Sequence, residues 1–346
     1  MSGGGTILEG ETCIVKATAN TDYIFVNWTE NDSTVSNKAN YTFTVTGNRI
    51  LVAHFIARPA APTGAIDGLF TINDFGDQVY FSHGNLQYIG SASTPYWKFA
   101  ENQWDCLSET TGQSDVNSNI DRDLFGWGTS GYHNKNDVYN VNYRPWSTSN
   151  ESVNTSYNYF GYGPSTFSTS PDLTGNSADY DWGVFNPISN GGNETGLWRT
   201  LTYDEWQYVF FTRSTSIVNE VENARYAKAK VADMQGVILF PDHYMHPSNV
   251  AQPIGINETG DIGWNGNNYS ADDFASMQSS GAVFLPASGY RSRTTIYYVG
   301  SGGHYWSASC CSSGNAYSMY FNDELLEMNN NGRYFGLSVR LVCPIE

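Results

Sequence analysis

With 346 residues the chain has room for two domains, and its 17 Lys and Arg against 34 Asp and Glu leave a net charge of −17. So acidic a balance argues against nucleic acid, whose phosphates need basic side chains, and against an anionic membrane surface. Charged residues reach only 15%, the same share as Phe, Trp and Tyr, so polar character comes from Ser, Thr, Asn and Gly, a texture common in extracellular β-rich proteins.

The five cysteines, Cys13, Cys106, Cys310, Cys311 and Cys343, are odd in number, and the chain is too large to need a disulfide framework. Cys310 and Cys311 are adjacent, which would strain a bridge between them. No CxxC occurs, so a zinc ribbon or thioredoxin-type site is not expected. No run approaches ~18 apolar residues, so no membrane span is expected. The opening Met-Ser-Gly-Gly-Gly has neither a basic nor an apolar signal region. Either the protein is cytosolic, or the chain is part of an extracellular or cell-surface protein whose export signal lies outside it; the second reading is preferred.

In chain order, residues 1–57 alternate apolar and polar positions in short runs: Val15, Ala17 and Ala19; Tyr23 and Phe25; Tyr41, Phe43 and Val45; Ile50 to Ala53. Separated by Asn, Asp and Gly, these runs predict several short strands in a small β module. Pro59, Pro62 and Gly64 mark a stiff linker over 58–66. A larger domain, 67–346, opens on strand-like runs around Phe70–Ile72, Val79–Phe81 and Asn85–Tyr88. Residues 101–195 are poor in aliphatics and rich in Asn, Ser, Gly and Tyr, with tryptophans at 104, 127, 146 and 182. They predict irregular structure pinned by buried aromatics, not a sugar platform.

Two helices are signposted. Over Leu201–Thr212, Thr202 and Glu205 have capping-box spacing, and Leu201 with Trp206 can form the accompanying staple. Over Ser270–Ser280, Ser270 and Asp273 repeat the pattern, and Gly281 ends the helix. Gly236–Asp242 between them has strand length. Helices among many short strands predict an α+β domain.

His243 and His246 stand three apart beside a proline with no third ligand nearby, which predicts a turn and not a metal site. The Asp- and Asn-rich stretch 115–186 leaves a structural Ca²⁺ open, although no EF-hand spacing occurs. The last stretch, 281–342, alternates apolar framework runs with segments dense in Tyr, Ser, Asn and Gly, the residue types preferred by antibody-like surfaces.

Glu9-Gly10-Glu11, Asn27-Trp28, Tyr41 to Val45 and Asn48-Arg49 leading to Phe55 resemble the divergent InlB B-repeat (Listeria–Bacteroides repeat) of bacterial surface proteins, which implies a stalk or spacer. Trp198 to Trp206 resembles the Arg-Leu-Pro-Thr-x-x-Glu-Trp segment of the formylglycine-generating-enzyme-like branch of the C-type lectin fold. Gly281 to Arg291, Tyr305-Trp306-Ser307 and Gly336-x-Ser338-Val339-Arg340 continue that pattern in order. Phe81 to Tyr88, Asp123 to Gly131, Asn315 to Phe321 and Arg333 to Val342 are similar to the variable proteins of diversity-generating retroelements, particularly those of gut Bacteroidetes.

The resemblance implies a C-type-lectin-like head whose late segment is diversified by mutation at adenines, turning Asn codons into others. Cys310, Cys311, Ser318, Tyr320, Asn330, Asn331, Gly332, Tyr334, Phe335 and Leu337 are of the residue types such codons reach. A binding face over 292–337 is expected to use Tyr297, Tyr298, His304, Cys310, Cys311, Ser313, Ser318, Tyr320, Asn330, Asn331, Tyr334, Phe335 and Leu337. Its ligand is expected to be a protein or glycan on a host or bacterial surface. Formylglycine-generating enzymes hold copper with a cysteine pair that adjacent Cys310 and Cys311 do not match, and the calcium-lectin Glu-Pro-Asn and Trp-Asn-Asp signatures are missing. No catalysis, metal or cofactor is therefore expected. The alternatives are a thiol oxidase of the formylglycine-generating type and a pilus or matrix subunit.

Overall fold

The period-2 runs of residues 1–57 become strands in the computed structural model, which describes residues 2–20, 23–107, 120–132, 172–260, 263–292, 295–312 and 314–345. The strands are β1 (Thr12–Lys16), β2 (Tyr23–Glu30), β3 (Ser33–Ser36), β4 (Asn40–Thr44) and β5 (Val52–Ala57). β1 pairs with β4, and β2 lies between β3 and β5. Alternation in β1 sends Cys13 and Val15 inward, where they meet Ala17 and Trp28. The Trp28 indole donates to the Ala39 carbonyl at 3.2 Å. Arg49 grips Glu30 through two nitrogens (2.8–3.2 Å) and lies 4.4 Å from the Phe43 ring centroid. So small a core is marginal by itself, and this ion pair closes one side of it.

The larger unit begins with β6 (Ala65–Thr71), β7 (Gln78–Ser82), β8 (Leu86–Ile89) and β9 (Tyr96–Phe99). There follow α1 (Trp182–Phe185), β10 (Arg199–Thr200), α2 (Tyr203–Gln207), β11 (Tyr226–Val231), β12 (Met234–Leu239), β13 (Asn268–Tyr269) and α3 (Ala271–Ser279). The chain closes with β14 (Val283–Pro286), β15 (Ser288–Ser292), β16 (Thr295–Val299), β17 (Gly303–Cys310), β18 (Asn315–Phe321), β19 (Leu326–Gly332) and β20 (Leu341–Pro344). Sheet orders are β10-β20-β7-β6, β13-β11-β12-β14 and β16-β15-β17-β18-β19, with β8 and β9 a separate pair.

The protein is mostly β-sheet with few helices. The expected helix over Leu201–Thr212 is shorter than its cap suggests. Five residues are α-helical, and Tyr208–Thr212 then widens into a π turn. Both capping boxes form as the spacing predicts, Thr202 with Glu205 and Ser270 with Asp273. Gly281 ends α3 at φ +88°, where a Cβ would lie 2.8 Å from the Gly68 Cα. The staple partners Leu201 and Trp206 are both fully buried in one core.

Cores lie on both sides of the five-stranded sheet. Tyr305, Met319, Phe321 and Leu326 face one, with Trp206 and Phe210. Trp306, Ala308 and Ala316 face the other, with Trp127, Trp182, Trp198 and Leu337. The expected pinning tryptophans 127 and 182 are fully buried, Trp104 is partly so, and Trp146 lies outside the described residues. Three of the buried indoles donate to carbonyls, Trp127 to Ser307 (2.8 Å), Trp198 to Gly191 (2.7 Å) and Trp306 to Phe125 (2.7 Å), whereas the buried Trp182 nitrogen has no partner among the described residues.

Candidate functional site: an aromatic face on the five-stranded sheet

Strand alternation decides which side chains share a face. In β17, His304 and Trp306 point one way and Tyr305 the other. The register sets His304 beside Tyr320 and Tyr320 beside Glu327. Farther along the same face, Trp306 lies beside Ser318 and is covered by the second core. The cover stops before His304 and Tyr320, and there the face opens.

At that opening the rings form one connected cluster. Tyr290 is its hub. It stacks on Tyr297 (5.5 Å between centroids), lies 5.9 Å from Tyr298, and meets His304 at 5.0 Å and Phe335 at 5.5 Å edge-on. His304 continues to Tyr320 at 4.6 Å, and Phe335 to Tyr334 at 4.6 Å. The Asn322 amide donates to the Tyr320 hydroxyl at 2.8 Å and orients its tip. Burial raises the Tyr290 and Tyr320 phenols above their ordinary range, so both stay protonated at neutral pH.

The scaffold beneath is firmly bonded. Arg291 and Gly336 exchange backbone hydrogen bonds (2.8 and 2.9 Å), as do Phe125 and Leu337 (2.9 and 3.0 Å). The segment carrying Tyr334 and Phe335 is thereby tied to β15 and to the 120–132 stretch. A Cβ at Gly336 would come within 2.9 Å of the Arg291 side chain, so only glycine permits this approach.

His304 is 9% exposed, and its Nδ1 is buried with no hydrogen-bond partner among the described residues. Burial lowers its pKa to about 4, so the imidazole is neutral at pH 7.

Tyr298, 63% exposed, sits at φ +61°, which costs a non-glycine residue about 1–2 kcal/mol. The turn holds it there: Ser301 and Gly302 both donate to its carbonyl, at 3.0 and 2.9 Å. Tyr298→Gly is expected to leave the melting temperature unchanged or slightly raised, since relief of strain outweighs the ~0.5–1 kcal/mol cost of glycine's freedom. Tyr298→Val should lower it. Thermal denaturation of both variants checks this.

The expected contact residues divide. Tyr297, Tyr298, His304, Tyr320, Tyr334 and Phe335 come together in the aromatic cluster. Asn331 lies on the same side, where it donates to the buried Ser318 hydroxyl at 2.8 Å. Ser318 is fully buried between Trp306 and Asn329 in the ladder and therefore braces the sheet instead of meeting a ligand. Leu337 requires a plain correction. It is fully buried in the second core because the exchange with Phe125 turns it inward, so it is no contact residue.

Asn330, one residue from Asn331, points to the opposite side. There it accepts from Asn315 at 3.3 Å and pairs with Tyr317, whose ring lies 4.3 Å from Tyr203. Cys310 and Cys311 stand at the far end of β17, and neither is in a disulfide. The Cys310 thiol donates to the Ser312 carbonyl at 3.0 Å, whereas Cys311 is exposed and raises the neighbouring Tyr317 phenol by hydrogen bonding. Ser313 lies outside the described residues.

Tyr290 was missed, although its place opposite Tyr297 follows from the hairpin register. In Ser288-Gly-Tyr-Arg-Ser292, Tyr290 alternates with the fully buried Arg291.

His246 is engaged within a turn, through the Tyr244 hydroxyl (3.0 Å) and the Val250 carbonyl (3.2 Å). Among the described residues no group of three or more His, Cys, Asp or Glu could hold a metal ion. The Asp- and Asn-rich stretch 115–186 lies largely outside them. No helix among them is long and apolar enough to cross a membrane.

Comparison with curated proteins and with solved structures gives no match. Residues 264–342, which include the whole five-stranded sheet, match the model of a domain of unknown function (DUF8237). Residues 1–59 match the model of the divergent InlB B-repeat domain, and this module, built from β1 to β5, is accordingly a repeat of a surface-associated type.

Proposed function

We propose that the chain belongs to a surface-displayed or secreted ligand-binding protein, in which the N-terminal repeat carries a C-type-lectin-like head whose aromatic face takes the ligand. The observation that carries this reading is the connected cluster of Tyr290, Tyr297, Tyr298, His304, Tyr320, Tyr334 and Phe335 on one face of a sheet packed on both sides. Tyrosines offer large area, one polar tip and few rotatable bonds, so their ordering on binding costs little. An adhesin- or receptor-type role with a protein or glycan ligand follows, without catalysis.

The similarity to retroelement variable proteins supports diversification of this face. Tyr320, Asn331 and Tyr334 lie where changes alter the surface and spare the cores, whereas Phe335 also packs against the second core. A near-copy of the last coding segment beside a reverse transcriptase, differing only at adenines, is the genomic sign to look for.

The direct test replaces Tyr320, Tyr334 and Phe335 by alanine and measures capture of ligand from host or bacterial surfaces. Binding should weaken by about tenfold or more, as when central aromatic anchors are truncated, while the melting transition is kept. Undiminished capture would overturn the proposal.

A further inference from the structure

We propose that the aromatic face receives a basic side chain, an ammonium or guanidinium group displayed by a partner protein. This deepens the binding role proposed for the face and rests on it. The ground is charge complementarity. Ring faces carry the negative end of the aromatic quadrupole and attract cations. Tyr290, Tyr297, Tyr298, Tyr320 and Phe335 present rings at one opening, of which Tyr297 and Tyr298 are exposed and the others half-buried.

No exposed cation competes with such a ligand among the described residues of this segment. Arg291, Arg333 and Arg340 are all fully or almost fully buried. Carboxylates gather at the open end instead, where the one cation at the turn among the described residues, Lys228, is buried beneath it and donates to the Asp323 carbonyl at 2.8 Å. Glu327 lies beside Tyr320 in the ladder, and Asp323 and Glu324 are exposed in the β18–β19 turn. Burial is the main cause of the raised Tyr320 phenol, and Glu327 and Asp323 add to it electrostatically in the same direction. His304 is neutral at pH 7 and adds no opposing charge. An anionic glycan or acidic peptide would meet repulsion at this end.

The experiment uses the full chain and two acetylated, amidated pentapeptides, Gly-Ser-X-Ser-Gly, in which X is trimethyl-lysine or its neutral tert-butyl carbon isostere. The two differ in charge and hardly in shape. Titration at neutral pH and physiological salt should show the cationic peptide binding at least about fivefold tighter. In a Tyr298→Leu/Tyr320→Leu variant with unchanged melting temperature, that preference should fall to near one. In Glu327→Gln it should shrink but persist.

Equal affinity for the two peptides overturns the cation preference and leaves the face as a binding site. A preference that survives in the leucine variant also overturns it, because the bulk acidity of the chain is then responsible. Binding of neither peptide overturns it as well. Whether the broader role stands is then read separately, from cell-surface capture by the variant lacking Tyr320, Tyr334 and Phe335.

Discussion

Replacing Asp242 by alanine is expected to destabilise the head by about 3–5 kcal/mol, the cost of stranding a buried charge. Asp242 and Arg213 form an ion pair at 3.0 Å with both side chains almost wholly buried. The second Asp242 oxygen accepts from the Thr71 amide (2.8 Å), the Thr71 hydroxyl (2.7 Å) and the Gln78 amide (2.9 Å). Arg213 in turn donates to the carbonyls of Val209, Arg225 and Phe240 and lies 4.9 Å from the Phe70 ring. One carboxylate thus joins β6 and β7 to the turn after α2, and its loss strands several buried donors together. Asp242→Ala should lower the urea midpoint sharply. Arg213→Met/Asp242→Asn should be less unstable than the sum of its single changes, with a coupling of about 1–3 kcal/mol.

Acidification should reveal two opposed titrations that nearly cancel in the wild type. Burial lowers the His304 pKa from 6.5 to about 4. Between those values the unfolded chain takes up a proton that the native state refuses, so stability falls as pH falls. Asp181 behaves in the opposite sense. Fully buried, it is raised from 3.8 to about 6, against the pull of amide hydrogen bonds from Thr200 (2.8 Å) and Gly183 (3.1 Å). Below pH 6 the native state protonates first, and stability rises.

Each effect amounts to about 2–3 kcal/mol between pH 7 and roughly pH 4.5, at 1.36 kcal/mol per pKa unit. His304→Phe should therefore gain about that much relative to wild type on acidification, and Asp181→Asn should lose it. Urea midpoints at the two pH values, taken as differences from wild type, cancel the groups common to both proteins. Parallel profiles for all three proteins would contradict the assignment.

Local chemistry was largely legible in the sequence. The two capping boxes and the glycine ending α3 depend on neighbours a few residues apart and form where spacing places them; the strands of the first module form near their expected runs, with β5 shifted to Val52–Ala57 and β3 (Ser33–Ser36) unforeseen. What escaped depends on packing and pairing that neighbouring residue types do not signal. The π turn after Gln207 accompanies the packing of Phe210 against Tyr226 (5.4 Å), and Val209 supplies a carbonyl to Arg213. Leu337 reads like its exposed neighbours until Phe125, more than two hundred residues earlier, draws it inward. Tyr290 stands in a framework-like run, and only the hairpin with β16 makes it the hub of the face. Asn330 and Asn331 are chemically identical, and strand alternation alone separates them.

That separation matters for anyone wishing to engineer the head as a recognition scaffold. Adjacent codons in β19 address different sides of the sheet, so a library varied along 329–332 without regard to parity would spread its diversity over two unrelated surfaces. A library restricted to Tyr297, Tyr298, Tyr320, Asn331, Tyr334 and Phe335, with Ser318, Gly336 and Leu337 held constant, concentrates all variation on one surface. The opposite side, around Tyr203, Tyr317 and Asn330, is then left unchanged for a label or a second specificity.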